Sequence, residues 1–544
     1  MKLAIVSLSV TAVLFLPCGV QSQPTPVRVA DARCADCHAE IFWKYLATPM
    51  ANASGSAQEK LKAGLFAHKP SSIDYALSLG NGKAVLTYRD QREPYNNGQL
   101  NLSYFLGSGH LGTTYIYSIN DFLFESPVAW YAATKSYDMK PGLAEINEMP
   151  PSLPMQSSCL RCHMSAVQAS DSGTINRYKG LPFLHSGITC ETCHGDSQNH
   201  TRNGGRSPIV NPTRLTATQR DSICIGCHLE GDVTVERSGH SPLAYRPGEE
   251  ISSYLAYYVY GNANATSRGV SEVEQFSQST CKRISGDKMS CSSCHDPHFT
   301  PNASQRTAFF RSKCLSCHNQ PEFATHHHPE TQDCTSCHMP AKGAENIPHV
   351  AWTDHRILRI PENQKSKSQE GQKDRLTPIF SPGANARDLA MAYYKAMLEG
   401  DRNLEPVAWE QLTALGDAIN SDSEALDALG VVNAERGNSS AAEQAFRRAL
   451  EISPDDLTAL SNLGTLLARQ GKLKGAISML QQAFDRNPDI SGLAKNLARL
   501  ECAAGDAPAA RRTLETTLVY NPDLQDVQRL SAGVSNCGGA ESGR

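Results

Sequence analysis

Apolar positions change rhythm several times along the chain. Residues 3 to 17 form an apolar run behind Lys2, followed by the small residues Val20 and Ser22 ahead of Gln23. Basic, apolar and small segments in that order predict an export signal over 1–22 and a mature chain from residue 23. Read as an uncleaved anchor, residues 3 to 20 would barely span a bilayer, and no later stretch is long and apolar enough to cross one. Between about 70 and 135 the pattern alternates. SIDYALSLGNGKAVLTYRD contains Asn81-Gly82, a two-residue hairpin signal, and LNLSYFLGSGHLGTTYIYSINDFLFESPVAWY is rich in Tyr, Ile and Phe between turn residues. A small β insertion is expected there. Residues 361–387 are polar and charged and read as a linker.

From 388 to 530 the period becomes helical and repeats. Gly430, Gly464 and Ala498 are spaced by 34 residues, as are Leu429, Leu463 and Leu497, and Pro454, Pro488 and Pro522. Leu-Gly, a late small residue and a closing Pro at a period of 34 mark tetratricopeptide repeats. The small residues let paired helices approach, and each Pro ends a second helix. A degenerate unit at about 388–422 caps the array, and residues 531–544 read as a flexible tail.

The stretch from 136 to 360 shows neither period, and its order lies in cysteine and histidine. The chain has 544 residues, 40% hydrophobic, with 18 Cys, 18 His and a formal net charge of −4. That balance disfavours a nucleic-acid binder. C-x-x-C-H occurs seven times: Cys34, Cys37 and His38; Cys159, Cys162 and His163; Cys190, Cys193 and His194; Cys224, Cys227 and His228; Cys291, Cys294 and His295; Cys314, Cys317 and His318; Cys334, Cys337 and His338. Chance at this composition gives roughly 0.02 copies. Two thiols on one helical turn can each form a thioether to a haem vinyl group, and the next His lies beneath the iron as proximal ligand. Zinc sites or disulfides would leave seven trailing His unexplained. Seven haem c groups are therefore expected. They also account for a thin apolar composition, since the cofactors supply much of the core.

Eleven further His remain as candidates for the sixth iron ligand: His68, His110, His185, His200, His240, His326, His327, His328, His349, His355 and His298. A surface His is the bland alternative for each. His200 and His298 trail the third and fifth motifs, His185 precedes the third, and His349 and His355 follow the last. Of the run His326–His328 one is expected to bind, with His328 nearest the seventh motif. Met50, closing EIFWKYLATPM after the first motif, is a thioether candidate that would raise the first haem's potential; the alternative is a soft core filler. Of the other cysteines, Cys18 lies in the signal. Cys281 reads as a buried thiol, and a Cys502–Cys537 disulfide is open.

GITCETCHGDSQNH, FSQSTCKRISGDKMSCSSCHDPH, DCTSCHMP and IPHVAWTDHRILRIP, together with the repeats, resemble exported bacterial multihaem c-type cytochromes with C-terminal tetratricopeptide repeats. These are distantly similar to tetrahaem and octahaem cytochromes of nitrogen and sulfur metabolism. The resemblance implies a loop-rich, mainly α heptahaem domain over 23–360, an α-solenoid behind it, a trailing His ligand at His200, and His298 given to a neighbouring haem. It also implies an electron carrier in the periplasm or otherwise outside the cytoplasm, with a redox protein docked on the repeats. Related catalytic cytochromes carry C-x-x-C-K where this chain has His every time, which speaks against ammonia-forming nitrite reduction of that type. Two other readings remain: an enzyme acting on a small nitrogen or sulfur species at one open haem, helped by His240 or the tyrosines of YLAYYVY, and a repeat scaffold with the haems as redox sensor.

Overall fold

The first attachment motif sits in helix α1 (Ala32–Leu46), which kinks at His38 (φ −117°, ψ 38°). The computed structural model describes residues 31–93, 96–260, 268–320, 323, 332–344, 346–359, 375–380 and 385–537. The expected signal, His326, His327, His328 and residues 360–374 and 381–384 lie outside the described residues.

From Ser54 to Pro154 the chain builds one ten-stranded antiparallel sheet. Its strands are β1 (Ser54–Ser56), β2 (Gly64–His68), β3 (Ile73–Gly80), β4 (Lys83–Asp90), β5 (Asn97–Leu106), β6 (Gly112–Ile119), β7 (Phe122–Glu125), β8 (Val128–Tyr131), β9 (Ser136–Met139) and β10 (Leu153–Pro154). The main path runs β10-β7-β6-β5-β4-β3-β2, with β1 on β5 and the β8–β9 hairpin on β6. In β3, Ile73, Tyr75 and Leu77 are buried while Asp74 and Ser78 face outward, the period-2 pattern of a half-buried strand. Asn81 and Gly82 adopt positive φ (50° and 71°) with Gly80 opposite Lys83, the two-residue hairpin their sequence predicts. The sheet extends beyond 70–135 for physical reasons. Strand β8 is buried at every position and so does not alternate, and β1 and β10 are too short to carry a pattern.

The haem-motif region consists of short elements: β11 (Met164–Val167), β12 (Phe183–Ser186), β13 (Val233–Glu236), β14 (Leu255–Tyr260), β15 (Ala341–Gly343) and β16 (Ala351–Thr353), with helices α2 (Cys190–His194), α3 (Ala217–His228), α4 (Thr280–Ser285), α5 (Ala303–Leu315) and α6 (Cys334–His338). Capping residues start the helices that carry motifs. Thr216 and Gln219 form a capping box before α3, Asn302 and Gln305 another before α5, and the Asp333 carboxylate accepts from the Thr335 and Ser336 N–H groups at α6.

Strand β17 (Leu376–Pro378) lies inside the expected linker and pairs with β14, Leu376 opposite Tyr260. The repeats follow as α7 (Ala386–Leu398), α8 (Glu405–Ala414), α9 (Ser423–Glu435), α10 (Ser439–Ile452), α11 (Leu457–Arg469), α12 (Leu473–Arg486), α13 (Ser491–Ala503), α14 (Ala507–Tyr520) and α15 (Gln525–Gly533). Gly464 explains its conservation of size within the period: a Cβ there would lie 2.7 Å from Leu480 on the partner helix. Cys502 on α13 and Cys537 form a disulfide, which ties the start of the expected tail back onto the array.

The repeats are fused to the rest of the molecule rather than tethered to it. Helix α7 shares one core with Val233, Val235, Tyr258 and Leu376, and Arg237 pairs with buried Asp388 at 2.8 Å. At the far end the closing loops dock on the ten-stranded sheet and on the loop between β11 and β12. Asn487 Nδ2 donates to the Gly173 carbonyl (2.8 Å), the Ser152 N–H donates to Asn521 Oδ1 (3.0 Å), and the Tyr88 hydroxyl donates to Asp523 (2.9 Å). Tyr520 enters the sheet's own core, edge-on to Phe122.

Candidate functional site

The Cys and His of six of the seven motifs, with Thr335 of the seventh, line one continuous cavity of about 3470 Å³ between the helices and the sheet. Ordinary small-molecule sites occupy about 300–1000 Å³, so this space suits several large ligands side by side. All fourteen motif cysteines are free thiols, whereas Cys502 and Cys537 are bonded. Thiols of different motifs meet singly: Cys34 with Cys190, Cys162 with Cys227, Cys224 with Cys291, and Cys314 with Cys334. A zinc centre would draw both thiols of two motifs onto one point. Single contacts between neighbouring motifs are what abutting attachment sites produce. The carboxylate of Asp31 joins Cys34 and Cys190, all three donor atoms lying within 4.8 Å of one another.

Three motif His face a second His. The ring centres of His38 and His200 are 6.4 Å apart with 11° between planes, those of His194 and His298 6.0 Å and 13°, and those of His295 and His355 6.2 Å and 28°. With about 2.0–2.1 Å from metal to nitrogen and about 1.1 Å from nitrogen to ring centre, two imidazoles on opposite sides of one metal ion stand about 6.2–6.4 Å apart. The residues therefore fit an iron between each pair.

Second partners fix which nitrogen is offered. Nδ1 of His194 lies 2.9 Å from the Val210 carbonyl, that of His200 2.7 Å from Ser207, that of His338 2.6 Å from Leu358, and that of His355 2.8 Å from Thr353. A carbonyl only accepts, so Nδ1 carries the proton in each and Nε2 keeps its lone pair for a metal. Burial holds His163 and His228 below the usual imidazole range, and burial together with His355 pushes His295 down to about 4. These rings stay neutral near pH 7, the form that ligates iron.

The remaining candidates divide. Met50 and His110 line the cavity, and it is His200 whose ring faces that of His38. His185 lies on β12 opposite Ser165, away from the cavity lining. Two candidates have ring nitrogens engaged elsewhere. His68 is buried with Nδ1 on the Ser71 hydroxyl (2.7 Å) and Nε2 on the Ala144 carbonyl (2.9 Å), so both nitrogens serve the sheet. His349 gives Nε2 to Asp138 at 2.7 Å, a contact with β9 and not with a motif. His328 lies outside the described residues. The carbonyls of Val210, Ser207, Leu358 and Thr353 could not be anticipated, because any residue supplies a carbonyl and only the loop path selects these.

The doubled CXXCH motif matches residues 284–323, the cytochrome c554 and c-prime family residues 129–195, and tetratricopeptide repeats residues 408–457, 433–489 and 467–533. Over 178 residues the chain is 25% identical to the multiheme cytochrome MtrA of Shewanella baltica (strain OS185), covering 30% of this chain and 52% of that protein. It thus spans about half the length of the curated relative it matches. Among solved structures it resembles MamA AMB-1, at 20% identity over 29% of this chain and 89% of that one (TM-score 0.26). It also resembles Pseudomonas aeruginosa PilF, at 23% identity over 27% and 67% (TM-score 0.25). Fold and motifs define a haem protein with a helical-repeat array. Segments of the chain match multihaem c-type cytochromes, and tetratricopeptide repeats follow them.

Proposed function

We propose that this cytochrome carries electrons along seven haem c groups, each held by the two thiols and the trailing His of one C-x-x-C-H motif. The observation that carries the reading is the set of facing imidazole pairs across a cavity lined by the Cys and His of six motifs. In it, His38 and His200, His194 and His298, and His295 and His355 are axial pairs. Each second ligand comes from the segment beyond the next odd-numbered motif: third for first, fifth for third, seventh for fifth. The contacts of Cys34 with Cys190, Cys224 with Cys291 and Cys314 with Cys334 support neighbouring attachment sites along the same path.

When bound, each haem supplies a one-electron iron couple whose potential depends on axial ligands and burial. The protein's part is to hold the rings in the Nδ1-protonated tautomer, exclude water with the sheet wall, and keep successive sites in contact. Export is part of the reading: a Cys502–Cys537 disulfide persists in an oxidising compartment, and no helix among the described residues is long and apolar enough to cross a membrane. So is docking of a redox protein on the repeats. Their closing-loop edge is taken by the sheet, so a partner would use the face built by α9, α11 and α13.

The test is intact-protein mass with haem quantitation, then electron paramagnetic resonance of the oxidised protein with and without nitrite and hydroxylamine. Seven haems, none high-spin and none moved by ligand, are expected. A high-spin haem that responds would replace the carrier reading with an enzyme of small nitrogen species.

A further inference from the structure

The segments that carry the first and third motifs are laced together. The Tyr45 hydroxyl donates to the Ile188 carbonyl at 2.6 Å, the Ile188 N–H to the Met50 carbonyl at 3.1 Å, and the Gly187 N–H to Ser54 Oγ at 2.7 Å. The two backbones run so close at Gly187 (φ 69°) that a Cβ there would lie 2.2 Å from the Ala51 carbonyl oxygen. Asp31 closes this seam at its thiol end. Its backbone carbonyl accepts from the Cys34 N–H at 2.9 Å and its carboxylate from the Cys190 N–H at 3.0 Å, so one residue holds α1 near its start and α2 at its start. Asp31 is 8% exposed, lies outside the cavity lining, and forms no ion pair among the described residues. A thioether sulfur has no proton to donate. Once both thiols carry haem, the carboxylate keeps the Cys190 N–H as its partner, and its charge stands within 4.8 Å of one attachment sulfur of each haem. The other junctions are charged differently. Where Cys162 meets Cys227 the foremost charge is the Arg161 guanidinium, which donates to the Gly226 carbonyl. Where Cys224 meets Cys291 the Asp221 carboxylate is offset by Lys282 at 3.9 Å and Arg220 at 4.0 Å. A buried anion without a counter-ion favours the ferric state of a nearby haem, the more positive one, and the low dielectric strengthens the effect.

We propose that Asp31 is a positioning and potential-setting residue shared by the first and third haems, which it holds at lower potentials than an uncharged junction would. The inference rests on the carrier reading and adds a direction to it: electrons leave this pair for the haems beyond more readily than they return. Each step moves one electron from a ferrous to a ferric iron, and no bond or proton moves.

The test is a spectroelectrochemical titration of the full-length holoprotein, with haem content checked by intact mass. It is run at pH 8, far above the carboxylate range, because burial raises Asp31 from its ordinary value. Asp31→Asn keeps an acceptor for the Cys190 N–H and removes the charge. Two of the seven midpoint potentials should rise and the other five stay in place. Ser54→Ala removes an uncharged bond from the same seam and should leave all seven where they are. Potentials that are unmoved or lowered in Asp31→Asn overturn the proposal, and so does a rise confined to one haem. A rise of similar size in Ser54→Ala overturns it by making the effect one of packing. Loss of a haem or of soluble protein from Asp31→Asn overturns it by making the carboxylate necessary for attachment. All of these leave the carrier reading standing. A wild type with a high-spin haem that nitrite or hydroxylamine moves overturns that reading and the proposal with it.

Discussion

The imidazoles of His194 and His298 lie 6.0 Å apart with 13° between their planes, although one belongs to the third motif and the other follows the fifth. His298→Ala removes one ring of that pair and no attachment residue. Total haem should stay the same while one haem per molecule turns from low-spin to high-spin, read by paramagnetic resonance, and its midpoint potential shifts. Substituting His68 is the matching control. His68→Gln should leave every haem signal in place and cost about 1–3 kcal/mol of stability, because it disturbs buried hydrogen bonds in the sheet.

The C-x-x-C-H motifs stand out because the chemistry expected of them demands fixed spacing: two thiols and a His from one turn of chain. The imidazoles that face the motif His carry no such constraint. His200, His298 and His355 resemble His68 and His349 in sequence, and only the path of the backbone brings the first three before another imidazole. The same holds for the repeats. Their period is written in Gly430, Gly464 and the closing prolines, but nothing in Asn487 or Asn521 announces that the loops they occupy dock on Gly173 and Ser152.

That docking changes what removal of the repeats should do. An independent arm could be deleted without loss. Here truncation after residue 374 uncovers Val233, Val235 and Tyr258 and withdraws Tyr520 from the sheet core. The truncated protein should lose soluble yield and haem content together, measured by haem staining against total protein. Asn521→Ala is the graded version. It removes the acceptor of the Ser152 N–H and a donor to the Asp489 carbonyl, and should cost about 1–3 kcal/mol while the haem spectrum is kept.

Within the array, Gly430 faces the Phe446 ring so closely that a Cβ would collide with it. Gly430→Ala should destabilise the repeats by about 1–3 kcal/mol, the cost of overpacking a filled core. A compensating Phe446→Leu in the same chain should recover part of the loss. Equal stability of Gly430→Ala and wild type in chemical denaturation would show that α9 and α10 can move apart freely.

Asp427 gives the repeats a pH dependence of their own. Its carboxylate is buried on α9 and accepts from Asn462 Nδ2 at 3.0 Å, while Asp456 and Glu424 lie near enough to oppose its charge. Burial, foremost, raises it from the ordinary 3.8 to about 7. The folded state therefore holds this proton more tightly than the unfolded chain does. Its contribution is greatest at low pH, declines as pH rises from about 4 towards 7, and levels off above, where the folded carboxylate is ionised too. Asp427→Asn keeps an acceptor for Asn462 and removes the ionisation. Midpoints of thermal unfolding, followed by far-ultraviolet circular dichroism between pH 4 and 8, should fall less with pH in the variant, so that the difference from wild type grows towards neutral pH. A difference that is flat across that interval would mean the Asp427 carboxylate titrates at the same pH in the folded and unfolded chains.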